Sequence, residues 1–279
     1  MKIDAHQHFW ALKRGDYGWL TPNLTPLYRD FEPEDLRPCL LANHIDGTVL
    51  VQAAPTLAET EYMLGLADAH DMILGVVGWS DFEASDAAET INALAARPKL
   101  VGLRPMIQDI ADDDWMLRAD LAPAFETMVN TGLVFDALTM PRHLPNLSEL
   151  LARYPDLRIV VDHGSKPDIA NRAFESWAAD MVKLATQTGA YVKLSGLVTE
   201  AAPFWSDDDL KPYIDHLIAH FGPHRMIWGS DWPVCTLASS YQRWVETTET
   251  LLIGLSASEK AAVLGENAAT LYRLGQVKQ

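Results

Sequence analysis

The sequence predicts an α/β fold of one specific architecture, a single (β/α)8 barrel of the TIM type. Three observations carry that prediction. Eight short apolar runs alternate with segments of helical spacing along 279 residues, the pattern of a parallel sheet with helical crossovers. No G-x-G-x-x-G and no Walker-type phosphate loop is present, which argues against a nucleotide-binding, doubly wound sheet. Ionisable residues gather near the C-terminal ends of the runs, where barrel active sites form.

The elements follow in order. The first strand, over 2–8, reads Lys-Ile-Asp-Ala-His-Gln-His. Side chains alternate along a strand, so His6 and His8 share a face that excludes Ile3, Ala5 and Gln7. An irregular stretch over 9–33, rich in Pro, Gly, Trp and Tyr, precedes a helix over 34–43 entered at Pro33. The second strand, 47–52, leads to a helix over 57–70, where Leu57, Met63, Leu64 and Ala67 fall at helical spacing. Strands over 73–79, 100–106, 133–137 and 157–163 lead to helices over 86–96, 123–130, 144–154 and 174–188. The seventh strand, 190–195, runs into a second irregular stretch, 196–209, holding Pro203, Phe204 and Trp205, before a helix over 210–221. The eighth strand, 225–231, is followed by a helix over 241–252. Val, Ile, Leu and Phe dominate most of the strands, as burial on both faces requires. Both irregular stretches leave from C-terminal strand ends and are expected to cover a pocket. With no internal repeat and no low-complexity linker, one domain over 1–279 is expected.

Composition narrows the function. The hydrophobic fraction of 48% is enough for a large core. Net charge is 22 − 38 = −16, with the acidic residues spread along the chain, so a nucleic-acid partner is not expected and a neutral substrate suits the surface. Cys39 and Cys235 are too few for a disulfide framework. No apolar run reaches 18 residues and the N-terminus has no signal-peptide pattern. These features predict a cytoplasmic protein without a membrane partner. Whether the chain acts alone or as a homo-oligomer stays open.

The chemistry lies at the strand ends. His6, His8, Arg104, Asp136, His163, Lys193 and Asp231 sit on otherwise apolar strands. Ionisable groups are costly to bury singly, so seven of them near one face imply a shared site. Two of the strands end in related runs, Asp162-His163-Gly164-Ser165-Lys166-Pro167 and Trp228-Gly229-Ser230-Asp231-Trp232-Pro233.

Together with Ile3-Asp4-Ala5-His6-Gln7-His8-Phe9-Trp10, Gly102-Leu103-Arg104 and Lys193-Leu194-Ser195-Gly196-Leu197, these runs resemble the amidohydrolase superfamily. Within it the chain is most similar to the amidohydrolase 2 group of sugar lactonases, of the L-fuconolactonase and L-rhamnonolactonase type. The resemblance covers nearly the whole chain, including Gly265-Glu266-Asn267-Ala268 at the closing helix. It implies metal-ligand roles for His6, His8 and Asp231, and catalytic roles for His163 and for Asp231 as general base. Arg104 stands where binuclear members carry a bridging Lys or Glu, and Asp136 where many carry His, so one ion at most is implied. Nitrogen and oxygen donors suit zinc. The superfamily also holds lactonases that work without a metal, so activity without an ion stays open.

Lactone hydrolysis requires a polarised carbonyl and a water that loses its proton. Asp231 is expected to take that proton, with burial beside Trp228 and Trp232 raising its basicity. Trp10, Gln52, Trp79, Arg104, Gln108, Asp136 and Lys166 lie at or just past strand ends. Aromatic faces and planar hydrogen-bonding groups suit a polyhydroxylated lactone, of the L-fucono, L-rhamnono or L-galactono series. Two alternatives remain: a metal-dependent decarboxylase of an aromatic or unsaturated acid, and a barrel that binds sugar without catalysis. His216 and His220 have helical ligand spacing but lack the intervening Glu of zinc proteases. Cys235 is expected to be a packing residue.

Overall fold

The computed structural model describes residues 1–275. Eight parallel strands stand side by side in chain order: β1 Ile3–Gln7, β2 Gly47–Val51, β3 Ile73–Gly78, β4 Leu100–Leu103, β5 Val134–Ala137, β6 Ile159–Val161, β7 Tyr191–Leu194 and β8 Met226–Trp228. The ring closes through the turn after β8. There the Asp231 amide donates to the His6 carbonyl and the His8 amide to the Trp232 carbonyl, both at 2.7 Å.

Helices cover the outside: α1 Pro33–Ala42, α2 Leu57–Ala69, α3 Ala87–Ala95, α4 Ala122–Thr131, α5 Leu144–Arg153, α6 Glu175–Gln187, α7 Leu197–Glu200, α8 Asp207–Phe221 and α9 Tyr241–Leu251, then the short α10 Ala257–Ala261 and α11 Asn267–Leu271. Their starts are chemically marked. Pro33 opens α1 inside a capping box formed by Glu32 and Asp35, and the Thr56 and Ser240 hydroxyls accept the first free amides of α2 and α9. Among the described residues no helix is long and apolar enough to cross a membrane.

Two apolar layers hold the barrel. Residues such as Leu103, Phe135, Val161 and Leu194 face outward and pack under the helices with Phe125 and Trp177. Ile3, Ala5, Val49, Val77, Val134, Val160 and Ile227 form a separate inner cluster, joined by Ala268, Leu271 and Tyr272 from α11 and the turn after it.

The strand alternation is broken where it matters. From Asp4 to Gln7 β1 advances three residues while β2 advances two, from Thr48 to Leu50. That extra residue changes which parity points inward. Ile3 and Ala5 face the interior below the shift, and His6 reaches Lys193 inside the barrel above it. The alternation expected from sequence therefore holds for His6 and His8 but does not expel Ile3 and Ala5.

Strands β4, β6 and β8 end earlier than their apolar patterns suggest. Arg104, His163 and Asp231 lie in the turns that follow. His163 and Asp231 adopt left-handed backbone, with φ of 53° and 57°, which no strand accommodates.

Candidate active site

The site is built in two levels at the C-terminal end of the barrel. The lower level is a sealed charge cluster. Lys193 of β7 is fully buried; its ammonium donates to Asp136, hydrogen-bonds His6 Nδ1 at 3.1 Å and forms an ion pair with Asp162 Oδ1 at 2.9 Å. Two hydrogen bonds and two carboxylates thus surround the buried ammonium, which supplies the charge pairing it needs. The Tyr272 hydroxyl donates to Asp136 at 2.8 Å. Arg104 is equally committed: Nε donates to Gln52 Oε1 at 2.8 Å, Nη2 to the Gln52 carbonyl, and Nη1 lies 3.3 Å from both Asp162 Oδ2 and His6 Nε2.

The upper level is Asp231 among three imidazoles. Its Oδ1 lies 3.3 Å from His8 Nε2, 3.7 Å from His6 Nε2 and 4.0 Å from His163 Nε2. Each ring is held from behind. His8 Nδ1 bonds the Val51 carbonyl at 2.8 Å, and His163 Nδ1 bonds Ser195 Oγ at 2.9 Å. Two glycines make room. A Cβ on Gly196, whose φ is +64°, would stand 2.3 Å from His163 Nδ1, and one on Gly229 would stand 2.6 Å from His6 Cβ. Asp4, fully buried, fastens the seam by accepting from the Ser230 amide at 2.8 Å and the Tyr241 hydroxyl at 3.0 Å.

Electrostatics follow from this geometry. Burial, then the Lys193 charge, holds His6 well below the usual imidazole range. Burial lowers His163 to about 4. Burial alone would raise Asp231, but the imidazoles of His163, His8 and His6 outweigh it and hold the carboxyl below the usual carboxylate range. This corrects the expectation of a base strengthened by an apolar wall. The Trp228 indole instead donates to Thr248 on α9 at 3.0 Å, and the Trp232 ring packs on Phe9 and Phe31.

A cavity of about 210 Å³ opens above Asp231. His8, Arg104, His163 and Asp231 line its catalytic side, and Gln108 and Lys166 its rim, where Lys166 Nζ donates to Gln108 Oε1 at 3.1 Å. His6, Gln52 and Asp136 act from below the lining, through Arg104 and Lys193. Trp10 is buried among Tyr17, Trp19 and Phe31 with its indole N–H on the Arg29 carbonyl, and it does not line the cavity. Trp79 is half-buried beside Thr60 and is likewise outside the lining. Trp19 faces the cavity, anchored to the Ala53 carbonyl at 2.7 Å. Asp162, Trp19, Thr199 and Glu200 are site residues that sequence reasoning did not single out. Asp162 carried a signal, since it continues the inward parity of Val160 on β6.

One ion would suit the donor set. His6, His163 and Asp231 each offer a ligand atom, all within 4.8 Å of one another, and two nitrogens with one oxygen match zinc chemistry. The set expected from sequence has His8 in place of His163; His8 stands beside this group, with Nε2 3.3 Å from Asp231 Oδ1.

Residues 3–274 match the amidohydrolase family model. An L-fucono-1,5-lactonase of Burkholderia ambifaria is 43% identical to this chain over 279 residues, spanning 98% of the chain and 96% of that protein. A second L-fucono-1,5-lactonase, from Burkholderia multivorans, is 36% identical, with 98% and 96% covered. The crystal structure of a Burkholderia multivorans amidohydrolase with bound zinc superimposes with a TM-score of 0.93 at 36% identity, over 98% of this chain and 99% of that one.

Proposed function

The chain belongs to the amidohydrolase family, and from that premise we propose that it hydrolyses a sugar-derived lactone to its aldonic acid. L-fucono-1,5-lactone is the first candidate, because two relatives matched over nearly the whole chain carry that activity in their names. The observation that carries the proposal is the Asp231 carboxylate set among His6, His8 and His163 on the wall of a cavity.

The lactone enters with its carbonyl toward the imidazole edges of His8 and His163. Their N–H groups stabilise the charge that develops on the carbonyl oxygen. Asp231 takes a proton from the attacking water as the C–O bond to the carbonyl carbon forms, and returns it to the ring oxygen as the acyl–oxygen bond breaks. The neighbouring imidazoles keep Asp231 ionised, and so able to accept a proton, at the expense of its basicity. A divalent ion, zinc by the donors available, would be held by His6, His163 and Asp231 and would polarise the carbonyl.

The experiment is a pH-indicator screen on aldonolactones, with product analysis and metal determination on the same protein. Acid release from L-fucono-1,5-lactone is expected. No acid release across the panel would overturn the proposal, and carbon dioxide from an aromatic acid would replace it with decarboxylation.

A further inference from the structure

The rim of the cavity carries a charge pair, Lys166 with Glu200, that the hydrolytic step does not use. Two cations line the cavity, Arg104 and Lys166, against three carboxylates, Asp109, Glu200 and Asp231. Both cations are spent. Arg104 is bound to Gln52 and Asp162, and the Lys166 ammonium lies between Glu200 Oε1 and Gln108 Oε1, each at 3.1 Å. Lys166 is also held at its backbone, with φ at 50° and its amide on the His163 carbonyl at 2.8 Å. Its charge is therefore fixed three residues from the site imidazole and neutralised there by Glu200 from the end of α7.

Resting on the proposed lactone hydrolysis, we infer that the Lys166–Glu200 pair is a specificity determinant that selects lactones without a second acidic group. A neutral aldonolactone is accepted, and an aldarolactone, which carries a free carboxylate, is turned away. An incoming carboxylate would shed water against three like charges and find no free cation, whereas a neutral polyol meets no such cost. The same field favours departure of the product, which becomes an anion only when the ring opens.

Glu200→Gln tests this. The amide keeps the shape of the rim and leaves the Lys166 charge unbalanced. The ratio of kcat/KM on an aldarolactone to kcat/KM on the aldonolactone of the same ring size is expected to rise about tenfold or more, and to shrink again in about 0.5 M sodium chloride. Adding Lys166→Met to that variant should return the ratio to the wild-type value. Lys166→Met alone, which leaves Glu200 unbalanced, should lower the ratio, and it serves if Glu200→Gln does not fold. A ratio that stays put in the single variants, or rises equally in the double variant, overturns the inference. The lactone proposal fails separately, by absence of acid release from the neutral lactone. In that event calorimetric binding of an aldonate and of the matching aldarate to wild type and Glu200→Gln reads the charge rule without turnover, and equal preference in the two proteins overturns it.

Discussion

The lower and upper halves of the barrel interior are made by the same strands and follow opposite rules. Below, Ile3, Val134, Val160 and Ile227 close the bottom of the barrel with Leu271 and Tyr272. Two residues further along three of those strands, or along their extensions, the inward positions become Asp136, Asp162 and Gly229, with Lys193 and His6 at the same level. The lower half gains from area removed from water and needs no partner of defined geometry. The upper half gains little from burial itself. It survives because every charge meets an opposite charge or a hydrogen-bonding group, and removing one member strands the others. A barrel can therefore carry a costly charged layer if the layer beneath it is apolar and closed.

The difference can be broken deliberately. Lys193→Met should lose the most stability, about 3–5 kcal/mol by urea unfolding, because Asp136 and Asp162 are left buried without their ammonium. A loss below about 1 kcal/mol would mean the charged layer is not held together by that pairing. Ile227→Val in the apolar half should cost about 1 kcal/mol, with kcat within about threefold of wild type, since it removes one methylene below the site. A large fall in kcat there would show that the two halves are coupled. The smallest effect is in pH. Burial opposes ionisation of Asp162, but Lys193, His6 and Arg104 outweigh it and hold the carboxyl well below the usual range. Its contribution is then complete above the unfolded value of about 3.9 and is lost as pH falls through the lower folded value. The stability gap between wild type and Asp162→Asn should accordingly be steady from pH 7 to 5 and narrow toward pH 3. A gap that widens with acid would contradict the assignment.

The same contrast explains what the sequence could show. Apolar periodicity located all eight strands, because burial on both faces leaves a signal in every residue of a run. His6, His8, His163 and Asp231 were legible as a set because each interrupts or ends such a run. The register shift in β1 was not legible, since the sequence of a strand does not reveal where its neighbour slips. Lys193 was visible as a buried cation, but its partners Asp136 and Asp162 come from strands far along the chain. Trp10 and Trp79 illustrate another limit. An aromatic residue past a strand end declares that it will be buried, not which way the ring turns, and it is Trp19 that meets the cavity.

The most direct test is the initial rate of acid release from L-fucono-1,5-lactone at neutral pH by wild type and by Asp231→Asn, with circular dichroism confirming that both are folded. With Asp231 as the base, the variant should turn over about a hundredfold or more slowly. A variant within about threefold of wild type would contradict the central claim that this carboxylate deprotonates the attacking water.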